Sequence, residues 1–225
     1  RRWTGAKEQA GIVFANGRRT QQVENGLRWF GLKTHAHQVH LDADLEMHGS
    51  MRGYVGLCRL PEGGVNVCGL FRARRGAVPN NPKDLLRGEN GTALHDRLAR
   101  AVFDEDSFCS VAGLSLRPQR AIKDAECRLG DALTMIPPVT GNGMSMALES
   151  ADIAVEPISQ FAHGQITWEA ARSAIAQGCD ARFRTRLFWA KWLQMLILCR
   201  AAHGPMAKWV LNSAALWRLF FALTR

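Results

Sequence analysis

Residues 127–151, Cys-Arg-Leu-Gly-Asp-Ala-Leu-Thr-Met-Ile-Pro-Pro-Val-Thr-Gly-Asn-Gly-Met-Ser-Met-Ala-Leu-Glu-Ser-Ala, decide how this 225-residue chain is read. An apolar strand runs into Gly130 and Asp131, a turn follows at Pro137 and Pro138, and Gly141-Asn142-Gly143 opens a helix. Ala147, Ala151 and Ala154 give that helix a small-residue face, and Pro157 is expected to end it. A glycine beside a carboxylate at a strand end lets a ligand approach the backbone while the carboxylate accepts hydrogen bonds from hydroxyls. Gly141 and Gly143 leave N–H groups bare at a helix N-terminus, where the dipole favours an electron-rich ring carbonyl. Gly141-Asn-Gly143-Met-Ser-Met146 is not a dinucleotide fingerprint, because Met146 stands at the third glycine position and no βαβ unit with an acidic residue follows.

Upstream the pattern is that of strands. Ala10–Ala15 forms a first one, ending at Asn16-Gly17, and Trp29–His35, Ala43–His48, Tyr54–Arg59 and Val65–Arg72 predict an antiparallel sheet. Pro61-Glu62-Gly63-Gly64 joins the last two, and Val65, Val67 and Phe71 alternate with Asn66, Cys68 and Leu70. Asn81-Pro82 marks a helix start; helical stretches are expected at 83–88 and 91–103, then a strand near Gly113–Leu116. Asn90-Gly91-Thr92 matches a glycosylation sequon and reads as a turn. From Trp168 to the end the period is helical, with a break at Gly204-Pro205.

Gly-Asp-Ala, Pro-Pro, Gly-x-Gly and Ala-Leu-Glu-Ser-Ala in this order resemble the second FAD-binding motif of the flavoprotein monooxygenase and geranylgeranyl reductase superfamily. Ala15-Asn16-Gly17-Arg18-Arg19-Thr20 resembles the family's A-D-G-x-x-S segment, with Asn16 where Asp is usual. Gly31-Leu32-Lys33-x-His35 and Gly53-Tyr54-x-Gly56-Leu57 resemble its substrate-domain sheet. The family's N-terminal G-x-G-x-x-G unit is absent from this sequence, so the resemblance is to the C-terminal part of such an enzyme. It implies an α/β fold: a fragment of an FAD-binding, glutathione-reductase-like domain at 1–24 and 122–157, an inserted antiparallel substrate-binding sheet at 25–121, and C-terminal helices at 158–225. It further implies FAD held by Gly130, Asp131, Pro138, Gly141, Asn142, Gly143 and Met144, with Asp131 on the ribityl chain and Pro138–Gly143 beside the isoalloxazine. NAD(P)H is the implied electron donor, and the reaction is hydroxylation or double-bond reduction of an apolar or lipid-like small molecule. Lys33, His35 and Tyr54 are candidates to line the substrate cavity. No catalytic acid or base stands out. The rival reading is a non-catalytic, degenerate flavoprotein fragment serving as a hydrophobic or membrane-surface binding module, which Asn16 favours.

Charge bears on partners. Residues 1–180 carry 21 basic and 20 acidic side chains, whereas 181–225 carry eight basic and none acidic. A basic, Trp-rich end argues against nucleic acid and for an anionic membrane surface or an acidic partner, although helix packing is the default meaning of Trp189, Trp192, Leu193, Leu196, Ile197, Trp209, Leu216, Leu219 and Phe220. No uncharged run reaches transmembrane length. The expected location is cytoplasmic, with peripheral contact at the inner face of a membrane. The six cysteines include no C-x-x-C pair and imply reduced thiols, with Cys58 and Cys68 facing each other as a buried, inert pair. His35, His37 and His40 lack a carboxylate or cysteine partner at ligand spacing, so no metal is expected.

Overall fold

Alternation of apolar and polar residues from Leu27 onward builds four strands of a five-stranded antiparallel sheet. The structure is a computed structural model that describes residues 10–19, 27–50, 52–74, 81–198 and 213–223. These fall into two compact units, one of residues 10–19, 116–196 and 213–223, the other built on residues 27–115.

The second unit carries the sheet, in the order β3-β4-β5-β2-β6, with β2 Leu27–His37, β3 Leu45–Ser50, β4 Gly53–Arg59, β5 Val65–Arg74 and β6 Val102–Leu114. One face is apolar: Phe30, Leu32, Ala36, Val55, Leu57, Val65, Val67 and Phe71 form a core. Two short helices, α1 Asp84–Arg87 and α2 Ala93–Arg97, add Leu86 and Leu94 to it. Each fully buried aliphatic side chain contributes about 1.5–3 kcal/mol. Thr92, the last residue of the sequon, caps α2 by accepting from the His95 N–H.

Helix α2 stops at Arg97, and β6 runs through much of what the periodicity predicts as helix and loop. The alternation of β6 is broken by register shifts against β2, between Trp29 and Phe30 and between Lys33 and His35. At the second shift the Ser107 hydroxyl takes the place of a ladder carbonyl, accepting from His35 N–H at 2.7 Å and donating to Asp104 O at 2.8 Å. A bulge of this kind resets the side-chain phase, so no period-2 signal survives along the strand. Cys58 and Cys68 are not a facing pair. Cys68 lies opposite Gly56, and Cys58 opposite Asn66, and both thiols are exposed, because the two cysteines sit diagonally on the outer face.

In the other unit β1 (Val13–Phe14) pairs in parallel with β7 (Cys127–Arg128). Two 3-10 turns follow, Gly130–Ala132 and Pro138–Thr140, and then α3 (Gly143–Ala162), α4 (Trp168–Leu198) and α5 (Ala214–Leu223). Helix α3 passes through Pro157 instead of ending there. Proline removes one helical hydrogen bond, but the turn beyond it is held by packing: Ile158 lies against the core and the Phe161 and Trp168 rings are 5.3 Å apart. The buried stripe of α3 is Met146, Ser150 and Ala154, and Ala151 is exposed. Leu129, Leu133, Ile136, Met146 and Ala154 share one core with Ile175, Cys179, Phe183 and Leu187 of α4. The break expected at Gly204-Pro205, and Trp209 with it, lie outside the described residues.

Candidate cofactor site

The 127–151 motif forms a ledge made mainly of backbone. Gly130 sits at φ +57°, a left-handed conformation, and a side chain there would press on the Ala147 Cβ at 3.1 Å. Only glycine lets the turn approach α3 this closely. The approach is fixed by Ser150, whose buried hydroxyl accepts the Gly130 N–H at 2.9 Å and donates to Ala147 O at 2.7 Å. The Ser150 hydroxyl, present in sequence only as the serine of the Ala-Leu-Glu-Ser-Ala string, is what ties the Asp131 turn to the helix.

Asp131, in that turn, reaches solvent. Crowding by surrounding protein pushes its carboxyl above the ordinary carboxylate value, against the opposing pull of Arg18. Arg19, the neighbouring residue of the upstream segment, donates to Leu133 O at 3.4 Å and pairs with Asp124 at 3.0 Å. The 15–19 segment is thereby fastened beside the turn. Thr20 lies outside the described residues.

Pro138 is exposed and Gly141 ends its turn at φ +66°. Gly143 opens α3, Asn142 is buried at the N-cap without capping through its side chain, and Met144 is exposed. A Cβ added at Gly141 or Gly143 would meet nothing within 4 Å, so the glycines leave open space at the end of a 20-residue helix. The first N–H groups of a helix have no intrahelical partner. Such an end presents positive dipole density worth roughly 0.3–1 kcal/mol toward an anionic or electron-rich group.

The ledge is braced from behind. Glu149 of α3 accepts from Arg186 at 2.7 and 3.1 Å and from Arg182 at 2.8 Å, both on α4. Arg186, with Arg182 and Ser145 helping and burial opposing, holds the Glu149 carboxyl at about 2.

The three candidate substrate residues lie in the other unit, on the outer face of the sheet. Lys33 stands between Cys68 and Cys109 on the flanking strands, His35 is opposite Asn66, and Tyr54 on β4 is opposite Leu70. Lys33 and His35 are half-buried, while Tyr54 is buried. Arg52 lines a cavity of about 450 Å³ together with His48, Asp84, Glu89 and Phe71. Among the described residues no group of three His, Cys, Asp or Glu side chains is placed to hold a metal ion.

No protein-family model matches this chain, and no curated protein matches it in sequence. Its fold does match solved structures. A geranylgeranyl bacteriochlorophyll reductase-like protein from Thermoplasma acidophilum gives a TM-score of 0.62 at 16% identity, over 83% of this chain and 50% of that one. A myxobacterial chondrochloren halogenase, a variant of FAD-dependent halogenases, gives 0.61 at 17% identity, over 95% and 55%. A probable FAD-dependent monooxygenase from Pseudomonas aeruginosa gives 0.53 at 16% identity, over 84% and 56%. The chain spans about half the length of each. It has the mixed α/β fold of these flavoproteins, with an antiparallel sheet and a helical C-terminus.

Proposed function

We propose that this chain is part of an FAD-dependent oxidoreductase, a monooxygenase or double-bond reductase acting on an apolar or lipid-like small molecule with NAD(P)H as electron donor. The observation that carries the reading is the ledge: two glycines with open space at the N-terminus of a 20-residue helix, tied by Ser150 to a turn that presents Asp131. The residues fit the ribityl and ring end of a flavin. Asp131 would accept from ribityl hydroxyls, and the backbone of Pro138–Gly143, with the amides of Gly143 and Met144, would lie against the ring. Flavin supplies two-electron redox chemistry when bound; the protein orients it and excludes water. Lys33, His35 and Tyr54 are the residues offered for substrate contact.

The non-catalytic reading rests on Asn16, which replaces a carboxylate by an amide. The two are separated by measuring flavin bound per protein after gel filtration of the full-length protein and of its Asp131→Ala variant. Loss of a charge-assisted hydrogen bond should weaken FAD retention by about 1.5–3 kcal/mol. Undiminished flavin in the variant rejects the assignment of Asp131, and a full-length protein that takes up no flavin when FAD is supplied in excess supports the non-catalytic reading.

A further inference from the structure

Helix α4 is apolar on two faces, and only one of them is packed. Phe183, Leu187, Ala190 and Leu193 are buried in the core. On the opposite side Phe188 and Trp192 are about half exposed (53% and 52%), and Met195 and Leu196 continue the stripe. The spacing of 188, 192 and 195 is that of one helical face. Helix α5 joins α4 through the Trp189 and Phe220 rings, 6.5 Å apart, and also exposes Leu219 and Phe221.

The charges beside this face that lack an acidic partner are basic. Arg182 and Arg186 both pair with Glu149, whose single carboxylate offsets one of their two charges. Arg184, Lys191 and Arg218 are exposed, and among the described residues none of them pairs with a carboxylate. No acidic residue occurs after Asp180. A pocket of about 400 Å³ opens at the edge of the stripe, with Phe188 common to both and Lys191 in its lining. Leu133, Phe183 and Leu187 line it, with Arg120 and Arg184. Asp180, also in its wall, is taken by Arg120 at 3.4 Å and by the Ala121 N–H at 2.7 Å. A basic rim on an apolar floor accepts an anionic headgroup and the start of its chains, and aromatic residues interleaved with Lys and Arg mark a helix that lies in a lipid interface. None of the described helices is long and apolar enough to cross a membrane.

We infer that the exposed face of α4 docks on the surface of an anionic lipid bilayer, with Phe188 and Trp192 entering the interface and Arg184 and Lys191, in the lining of the pocket, seating a lipid headgroup. The test is co-sedimentation of the full chain with phosphatidylcholine vesicles and with vesicles containing about one-third phosphatidylglycerol, at low and high salt. Binding should be confined to the anionic vesicles and should fall steeply with salt, because exposed charges are screened. Phe188→Ser/Trp192→Ser should lower it at least about tenfold, and Arg184→Gln/Lys191→Gln should flatten the salt dependence, both with unchanged circular dichroism since all four side chains are at the surface. Equal binding to neutral and anionic vesicles overturns the inference, as does full binding by the Phe188→Ser/Trp192→Ser variant. So does a chain that ignores vesicles but forms a dimer abolished by that variant, which would make a second copy the occupant.

Discussion

The glycine ledge and the outer face of the sheet present candidate groups in opposite ways. On the ledge the working surface is backbone, held from behind by a buried hydroxyl and an ion pair whose arginine is buried. On the sheet two of the candidates, Lys33 and His35, are half-buried side chains on the face opposite the core, where Leu57 and Val67 are fully buried. Position and stability are therefore inseparable on the ledge, whereas at the half-buried Lys33 and His35 of the sheet's outer face the chemistry can change at little cost to the fold.

The strongest way to break this contrast is at Glu149. Glu149→Ala leaves Arg186 buried without its partner, and breaking such a pair should cost about 3–5 kcal/mol, read as a fall in unfolding temperature. The pH profile sharpens it. The folded carboxyl titrates at about 2 and the unfolded one near 4.5, so the stabilisation is complete above the unfolded value and is lost as pH falls from about 4.5 toward 2. The natural protein should lose more stability across that window than Glu149→Gln, and parallel curves would show that the pair does not hold the helices together.

A smaller effect is expected at Ser150. Ser150→Ala strands the Gly130 N–H, a cost of about 1–3 kcal/mol. Hydrogen exchange at that amide should accelerate while the sheet amides stay protected, and unaltered exchange would mean that the hydroxyl does not fix the turn. The smallest effect belongs to the sheet. Lys33→Ala and His35→Ala should each shift stability by no more than about 0.5 kcal/mol, as denaturant titration would measure; a cost of several kcal/mol at either would make the outer face structural and erase the contrast.

The parts legible in the sequence were those whose cause is local. Strands β2 to β5 follow from alternation, and the hairpin at Pro61–Gly64 from its turn residues, closed by the Leu60 N–H to Gly64 O bond of 2.8 Å. The 127–151 string carried the ledge because glycine and proline fix backbone directly. What stayed hidden depends on partners distant in the chain. Ser107 resets β6 through His35 of β2, 72 positions away, and Glu149 meets arginines 33 and 37 residues on, while α3 runs past Pro157 on the packing of Phe161 against Trp168 of the next helix. The diagonal placement of Cys58 and Cys68 depends on a register that alternation leaves free by two residues.

Those cysteines give the molecule a set of chemical reporters. Cys58 and Cys109 stand exposed on one sheet face, and Cys68, on a strand between them, is also exposed but has its thiol raised by partial burial and takes a hydrogen bond from Asn66 at 3.3 Å. Cys127 and Cys179 lie in the other unit, buried, with burial pushing Cys179 up to about 11. Because the thiolate is the nucleophile, alkylating reagents will grade the five from the sheet surface inward, and the order in which they are modified maps which face a ligand or partner has covered without any residue being engineered.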